Sequence, residues 1–508
     1  MPKLAYPDLY NPDYVFKALL AHGMFSDKLP PCFTSEQFYT QVQTDSIASP
    51  ENPARHSYVE YQATRNTNVP RQLAIPHPES YLHLCTHIRN YWKEINQHIG
   101  KPKAKFNFCH VRKMKDKKRI FAMNYSGADK WEREELSLDY SLGCRYVVLA
   151  DISNCFPSIY SHSIPWAVKG KGWSKIHQCC SWNKRKSLGD PCSRNHCEPC
   201  PNDKSDLWPN DIDAIACSTK DGETNGIFIG PHTSNIISEI ILTQIDIGLQ
   251  TNGFKKVIRF IDDYTFYAEN ESDARKFLRT LTLKLKEFEL ILNAKKTKII
   301  PYQKYTYDHW ISRLNQFSFS GGNKHGFTSI NAFIDYALEL SEETKNYAVL
   351  NYAIKIISGK QLSYRARRLY IKKILQIALD RPYILPLLEK YVFSFVNKGV
   401  VEFLDKFLPY LLGRSVENAT TDALAYAFYF AIKYSVNLNL SEDDYKNVLE
   451  LNDCVSMLLA YKHCEQQDTS VDIFIGKAMG LLKLSKREQD KFWLFLYEVI
   501  PKNHMMIF

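Results

Sequence analysis

Three acidic residues stand where an acid is costly unless something holds it. Asp262 and Asp263 interrupt "RFIDDYTFYA", residues 259–268, a stretch otherwise as apolar and aromatic as a core strand. Asp151 ends the β-branched run in "CRYVVLADISNCFPSIY", 144–160. The pair at 262–263 has two readings: a hairpin turn facing water, or a site where a multivalent cation holds both charges, since unpaired carboxylates in apolar surroundings cost several kcal/mol. If the two stretches are neighbours in one sheet, three carboxylates converge at its edge. Negative charges within about 5 Å repel strongly in low dielectric, so such a cluster persists mainly when divalent ions neutralise it. Hard oxygen ligands select magnesium or manganese, and two ions about 3.5–4 Å apart activate a hydroxyl while stabilising a leaving pyrophosphate. The chemistry to expect is nucleotidyl transfer.

The elements that must position these acids can be read in order. The run to Asp151 is a strand, followed by a helix initiated near Pro157. "NGIFIGPHTSNIISEIILTQID", 225–246, is a glycine-punctuated loop opening into a long apolar helix. The strand and turn around Asp262 come next, then a helix over 271–289, then the short basic strand "LNAKKTKII". Strand, helix, strand hairpin, helix, strand is the plan of a ferredoxin-like sheet layered on helices. Upstream, residues 1–70 read as short helices and loops. From Arg71 the sequence predicts an extended piece stopped by two prolines, then an amphipathic helix with a Pro-Glu start. Beyond about 325 the pattern becomes helical throughout: Leu404, Phe407, Leu408 and Leu411, and likewise Tyr370, Ile374, Ile377 and Ala378, follow i, i+3, i+4 spacing. About nine or ten such helices imply an all-α stack, an irregular HEAT-like array or a plain bundle. The expected fold class is α+β followed by an all-α domain. Its divisions are 1–136, an N-terminal segment with a basic hairpin; 137–324, the sheet domain, with a polar insertion at about 173–225; and 325–508, the helices.

At 508 residues the chain is too long for one core, and 45% hydrophobic residues leave folding in no doubt. A net charge of +10 suits a polyanionic partner without demanding one. The excess is concentrated in "KPKAKFNFCHVRKMKDKKRI", 101–120, which carries nine Lys or Arg and one acid, Asp116. This segment is either a solvated face or a basic hairpin suited to phosphates. The N-terminal residues lack a charged-then-apolar signal pattern and no run of about 18 apolar residues occurs, so a soluble, unexported protein without membrane association is expected. Most of the 13 cysteines are scattered singly, as reduced core thiols are. Five cluster at 179, 180, 192, 197 and 200, beside His177 and His196. Cys192, Cys197 and Cys200 in "CSRNHCEPC" include one C-x2-C pair, half of a zinc signature; structural zinc and a Cys-rich surface insertion both remain open.

Four stretches carry a family resemblance. "FIDD" looks like the aromatic-x-Asp-Asp motif of reverse transcriptases, "ADISNCFPSIYSH" like their first catalytic motif, "GIFIGPHTSN" like their glycine-turn motif, and "LNAKKTK" like the lysine-bearing strand that follows. With "IPHP" upstream and a helical C-terminal half, the sequence resembles the abortive-infection (Abi) reverse transcriptases of bacterial phage defence, the AbiK-like class, above all its shorter prophage-encoded members. The resemblance implies a palm-and-fingers fold whose thumb is replaced by the helical domain. It makes Asp151 and Asp262 the principal ligands of two Mg2+ (or Mn2+) ions, with Asp263 supporting and the Ile152 carbonyl contributing. Phe156 falls at the family's steric gate against a ribose hydroxyl, or else is ordinary core. Arg112 and Arg119 match the fingers residues that grip the triphosphate, bidentate Arg–phosphate pairing being the physical reason, with Arg71 as competitor. Gly226 and Gly230 would let the backbone approach the nucleotide or strand. Lys296, with Lys298 as competitor, matches the lysine that serves the departing pyrophosphate. Ile229 stands where many reverse transcriptases have Gln, which bears on templated dNTP recognition. The class further implies cytoplasmic antiphage activity, untemplated synthesis from dNTPs, a single-stranded DNA product attached to a priming tyrosine, and a homo-oligomer. Tyr58 and Tyr61 are the priming candidates. A templated enzyme of the retron or group II intron kind and a non-catalytic nucleic-acid scaffold are the alternatives.

Overall fold

In the computed structural model the described residues are 11–45, 54–65, 69–100, 118–119, 127–177, 206–305, 309–320, 322, 324–396 and 399–500. They fall into two compact units. The first comprises Met1–Ser26, Thr34–Tyr58 and Ala74–Tyr305; the second comprises Asp27–Phe33, Val59–Leu73 and Thr306–Phe508.

Among the described residues six strands are formed: β1 (Tyr58–Ala63), β2 (Arg71–Pro76), β3 (Tyr146–Asp151), β4 (Val257–Phe260), β5 (Asp263–Ala268) and β6 (Lys298–Pro301). β1 pairs with β2, and the other four make one antiparallel sheet in the order β4-β5-β3-β6. Helices separate β3 from β4 and β5 from β6, so the succession strand, helix, hairpin, helix, strand is the one the sequence predicts. The sheet alternates as a two-sided strand set must. Val147, Ile258 and Tyr267 face one side, where Leu136 and Tyr140 of the helix Gly127–Ser141 pack on them. Phe266 faces the other side, stacked on Phe277 at 4.4 Å between ring centres and edge-on to Phe254 at 5.4 Å. Phe277 belongs to the helix Glu271–Lys286, which buries Ala274, Phe277, Leu281 and Leu285 along one stripe. That helix begins where the Asn270 side chain accepts a hydrogen bond from the Asp273 N–H at 2.9 Å.

Two local readings change. Residues 58–63 form a strand rather than part of a loop-rich region: "YVEYQA" buries Val59, Tyr61 and Ala63 with period two. Within the polar stretch 173–225, Trp208–Ser218 is a helix that buries Trp208, Ile212 and Ile215, because those three recur at helical spacing.

In the second unit, helices follow one another from His309 to Val499. Leu404, Phe407, Leu408 and Leu411 are buried as their spacing requires, as are Tyr370, Ile374 and Ala378, with Ile377 half-buried. Thr64 is tied to the helix Thr421–Tyr434, its N–H and hydroxyl donating to the two oxygens of Asp422 at 2.6 and 2.7 Å. Among the described residues no helix is long and apolar enough to cross a membrane.

Candidate active site

Strand register brings the three acids together. Asp151 is the last residue of β3 and lies directly opposite Asp263, the first residue of β5. Asp262 occupies the turn just before it, and one carboxylate oxygen from each residue lies within 4.8 Å of the others. Asp151 is buried, Asp262 half-buried and Asp263 exposed, so the cluster has one side toward solvent. Burial, then the hydrogen bond with Asp151, then the negative charges of Asp262 and Asp151, push the Asp263 carboxyl up to about 7, with Lys296 opposing. Hard oxygen donors crowded enough to raise the Asp263 pKa are a donor set that fits a divalent oxygen-seeking cation.

The turn is held from below. Ile261 has φ +58°, a left-handed conformation rare for a β-branched residue. Its carbonyl accepts from Arg259 Nη1 at 2.9 Å. Arg259 is fully buried and bonded to Glu239 through Nη1 and Nη2, both at 3.0 Å, and to Asp246 through Nε and Nη2 at 2.9–3.1 Å. Burial pulls the guanidinium's pKa down, but Asp246 and Glu239 carry it well above its usual value. Both acids come from the apolar helix His232–Thr251 and lie seven residues apart, on one face. The sequence reading missed this network. Its signal was present: two acids two turns apart inside an apolar helix require a buried cation, and Arg259 is the basic residue of the adjoining strand.

The Asp151 side chain is gripped at both oxygens. Lys296 Nζ donates to Oδ1 at 2.9 Å and Asn293 Nδ2 donates to Oδ2 at 3.1 Å. Burial lowers the Lys296 pKa, but the hydrogen bond with Asp151 and the charges of all three carboxylates outweigh it and leave the ammonium above its ordinary value. Ile152 is buried and its N–H donates to the Asp262 carbonyl at 3.2 Å. Lys298 begins β6 and pairs across from Leu149, two residues away from Asp151.

The glycine motif packs on the first catalytic motif. Ile227 N donates to Phe156 O at 2.9 Å and Gly226 N to Ile159 O at 2.8 Å. A Cβ on Gly226, at φ +76°, would stand 2.8 Å from the Pro157 carbonyl oxygen. Phe156 is half-buried on the short helix Cys155–Ser158. Gly230 has φ +132°, and a Cβ there would approach Ala74 O to 3.3 Å. Of the fingers candidates, Arg119 is half-buried, whereas Arg112 and most of the basic segment lie outside the described residues. Arg71, the competitor, belongs to the second unit. Cys192, Cys197 and Cys200 also lie outside the described residues.

The two tyrosines separate. Tyr58 is half-buried against Phe228 of the glycine motif, ring centres 4.6 Å apart. Tyr61 is 0% exposed, and burial followed by the charge of Asp422 drives its phenol pKa well above normal. A phenol so enclosed cannot meet a nucleotide, which sets the structure against Tyr61 as a primer. A second group of donors, His56, His77 and Glu79, also brings one ligand atom from each within 4.8 Å of the others, but its two imidazole rings are stacked. The two imidazoles are parallel within 4° at 3.7 Å, so an ion shared by their nitrogens would lie far outside both ring planes.

Residues 84–307 match the family model described as reverse transcriptase (RNA-dependent DNA polymerase), a span that takes in β3 to β6 and all three acids. No curated protein matches the chain. Among solved structures it is similar to apo telomerase from Candida tropicalis, at 11% identity over 94% of this chain and 77% of that one, TM-score 0.34. Telomerase from Candida albicans in complex with a fragment of telomeric RNA gives 10% identity, 90% and 70% coverage and a TM-score of 0.31. A Candida tropicalis telomerase truncated from its C-terminal domain is matched at 10% identity and TM-score 0.32, with this chain spanning 57% of its length. The match over residues 84–307, under half of the chain, is to a reverse transcriptase domain, and such a domain indicates a nucleotidyltransferase.

Proposed function

We propose that this enzyme adds deoxynucleotides by two-metal nucleotidyl transfer, without a template and from a protein tyrosine, as an Abi-type reverse transcriptase in bacterial antiphage defence. The observation that carries the chemistry is the register of Asp151 against Asp263 with Asp262 beside them. Asp151 and Asp262 would hold Mg2+ or Mn2+, with Asp263 and the Ile152 carbonyl supporting. When bound, such ions supply activation of the attacking hydroxyl and neutralisation of the departing pyrophosphate. The chain's own residues orient and select. Lys296 holds positive charge at the edge of the acid cluster and would serve the departing pyrophosphate. Phe156 is the steric gate, Gly230 the point of close backbone approach, and Arg112 and Arg119 the triphosphate grip. Phe156→Ala is expected to raise ribonucleotide incorporation; unchanged discrimination would remove the gate.

The defence role, untemplated synthesis and tyrosine priming rest on the likeness of the four motifs and "IPHP" to the Abi class. So do the division at about 136 and 324, the HEAT-like helical domain in place of a thumb, the homo-oligomer and the cytoplasmic location. Tyr58, beside the glycine motif, is the priming candidate that burial leaves available. Incubation with dNTPs and Mg2+ followed by denaturing electrophoresis should give a protein–DNA adduct that Tyr58→Phe abolishes. DNA wholly separable from denatured protein would contradict it. The family match itself favours a second reading, templated synthesis on RNA. Product sequence that follows a supplied RNA template would select that reading.

A further inference from the structure

Lys296 accounts for one oxygen of the catalytic Asp151; what holds the other is a residue that no motif role covers. We propose that Asn293 is a positioning residue that fixes the Asp151 carboxylate for cation binding, an inference that rests on the metal reading of the acid cluster. Asn293 reaches Asp151 twice: its backbone N–H donates to the Asp151 carbonyl at 2.7 Å and its amide Nδ2 donates to Oδ2 at 3.1 Å. The amide orientation follows from the network, because Asn293 Oδ1 accepts from the Lys295 N–H at 3.1 Å and only an oxygen can do so. The same residue's carbonyl accepts from Lys296 N at 3.2 Å and Thr297 N at 2.9 Å. Asn293 therefore builds the turn that presents Lys296 and, from the same turn, clamps the strand end that presents Asp151.

The physical consequence concerns rotation of one carboxyl group. Each carboxylate oxygen has two lone-pair directions. With Oδ2 fixed by the amide and Oδ1 by the ammonium, the Asp151 carboxylate cannot swing about its Cβ–Cγ bond, and its remaining lone pairs stay available to the solvent-facing cluster. A neutral amide performs this without adding charge, whereas a second lysine there would compete with the cation. Hydrogen-bond partners of metal ligands typically set cation affinity by 10–100-fold.

The test uses the full chain and Mn2+ as the probe, with binding read by electron paramagnetic resonance and thermal unfolding in parallel. Asn293→Ser retains an oxygen that can accept from Lys295 N but is too short to reach Asp151; Asn293→Ala loses both. Both variants are expected to bind Mn2+ about tenfold more weakly than wild type. Both should need correspondingly more Mg2+ for half-maximal nucleotide incorporation, with the dNTP KM unchanged. Wild-type Mn2+ affinity in Asn293→Ser would overturn the inference, even if Asn293→Ala is impaired, since the turn alone would then be its role. Asp262→Asn separates this from the underlying reading: if that variant also binds Mn2+ like wild type, the acid cluster is not the cation site and both ideas fall.

Discussion

Removing the Arg259 guanidinium would strand Glu239 and Asp246, each 1% exposed, in the core. Arg259→Met is therefore expected to cost about 3–5 kcal/mol, read by chemical denaturation. The triple variant Arg259→Met/Glu239→Leu/Asp246→Leu removes all three charges, so most of that stability should return. Its activity should not return, because the Ile261 carbonyl loses the donor that holds the Asp262–Asp263 turn, and misplacement of reacting groups by about 1 Å costs about a hundredfold. A triple variant with the wild-type rate would reduce the network to a folding device. At this scale the acids themselves were legible, because an acid in an apolar run has few explanations. Asn293 was not, because its role depends on a partner 142 residues away, a distance that no local pattern encodes. The Arg259 network left its trace in two acids of one apolar helix, which went unread because the pairing spans 13–20 residues and two elements.

Between elements, the seat of the glycine loop against the first catalytic motif is the contact least able to change. Gly226→Ala adds a Cβ 2.8 Å from a backbone oxygen and imposes a left-handed φ of +76° on an L side chain. A destabilisation of at least about 2 kcal/mol is expected, with loss of nucleotide incorporation. The helix Pro78–Asn90 gives a pH signature. Burial, then the charge of His87, pulls the His83 pKa from 6.5 to about 3, so the unfolded chain takes up the proton first. The stability this histidine contributes is complete above pH 6.5 and is lost as pH falls from there toward about 3, by about 1.4 kcal/mol per pH unit. His83→Gln should flatten that slope in acid denaturation; an unchanged slope would assign it to other groups. The order of strands and helices around the site was readable from hydrophobic period and turn residues. β1 was not recognised, although "YVEYQA" alternates, because the surrounding Pro, Asn and Tyr residues suggest loops.

In the whole molecule, the second unit includes Asp27–Phe33 and Val59–Leu73, which come from the N-terminal part of the chain. Val59, Tyr61 and Leu73 are buried there. A fragment ending at Tyr305 would lose the helices that share their unit, so it should be insoluble or expose apolar surface to a hydrophobic dye, whereas the full chain should not. A well-folded fragment would show that the two units are separable. Such interleaving escapes a linear reading of composition, which can mark where character changes along the chain but not which early segments return to a later core. The central claim is that Asp151, Asp262 and Asp263 act as one cation-holding centre for nucleotide addition. The most direct test is incorporation of labelled dNTPs by purified protein across a Mg2+ titration, comparing wild type with Asp262→Asn at matched thermal stability. The account predicts Mg2+-dependent incorporation that falls by about a thousandfold or more in the variant at every Mg2+ concentration. Incorporation by Asp262→Asn at the wild-type rate would contradict it.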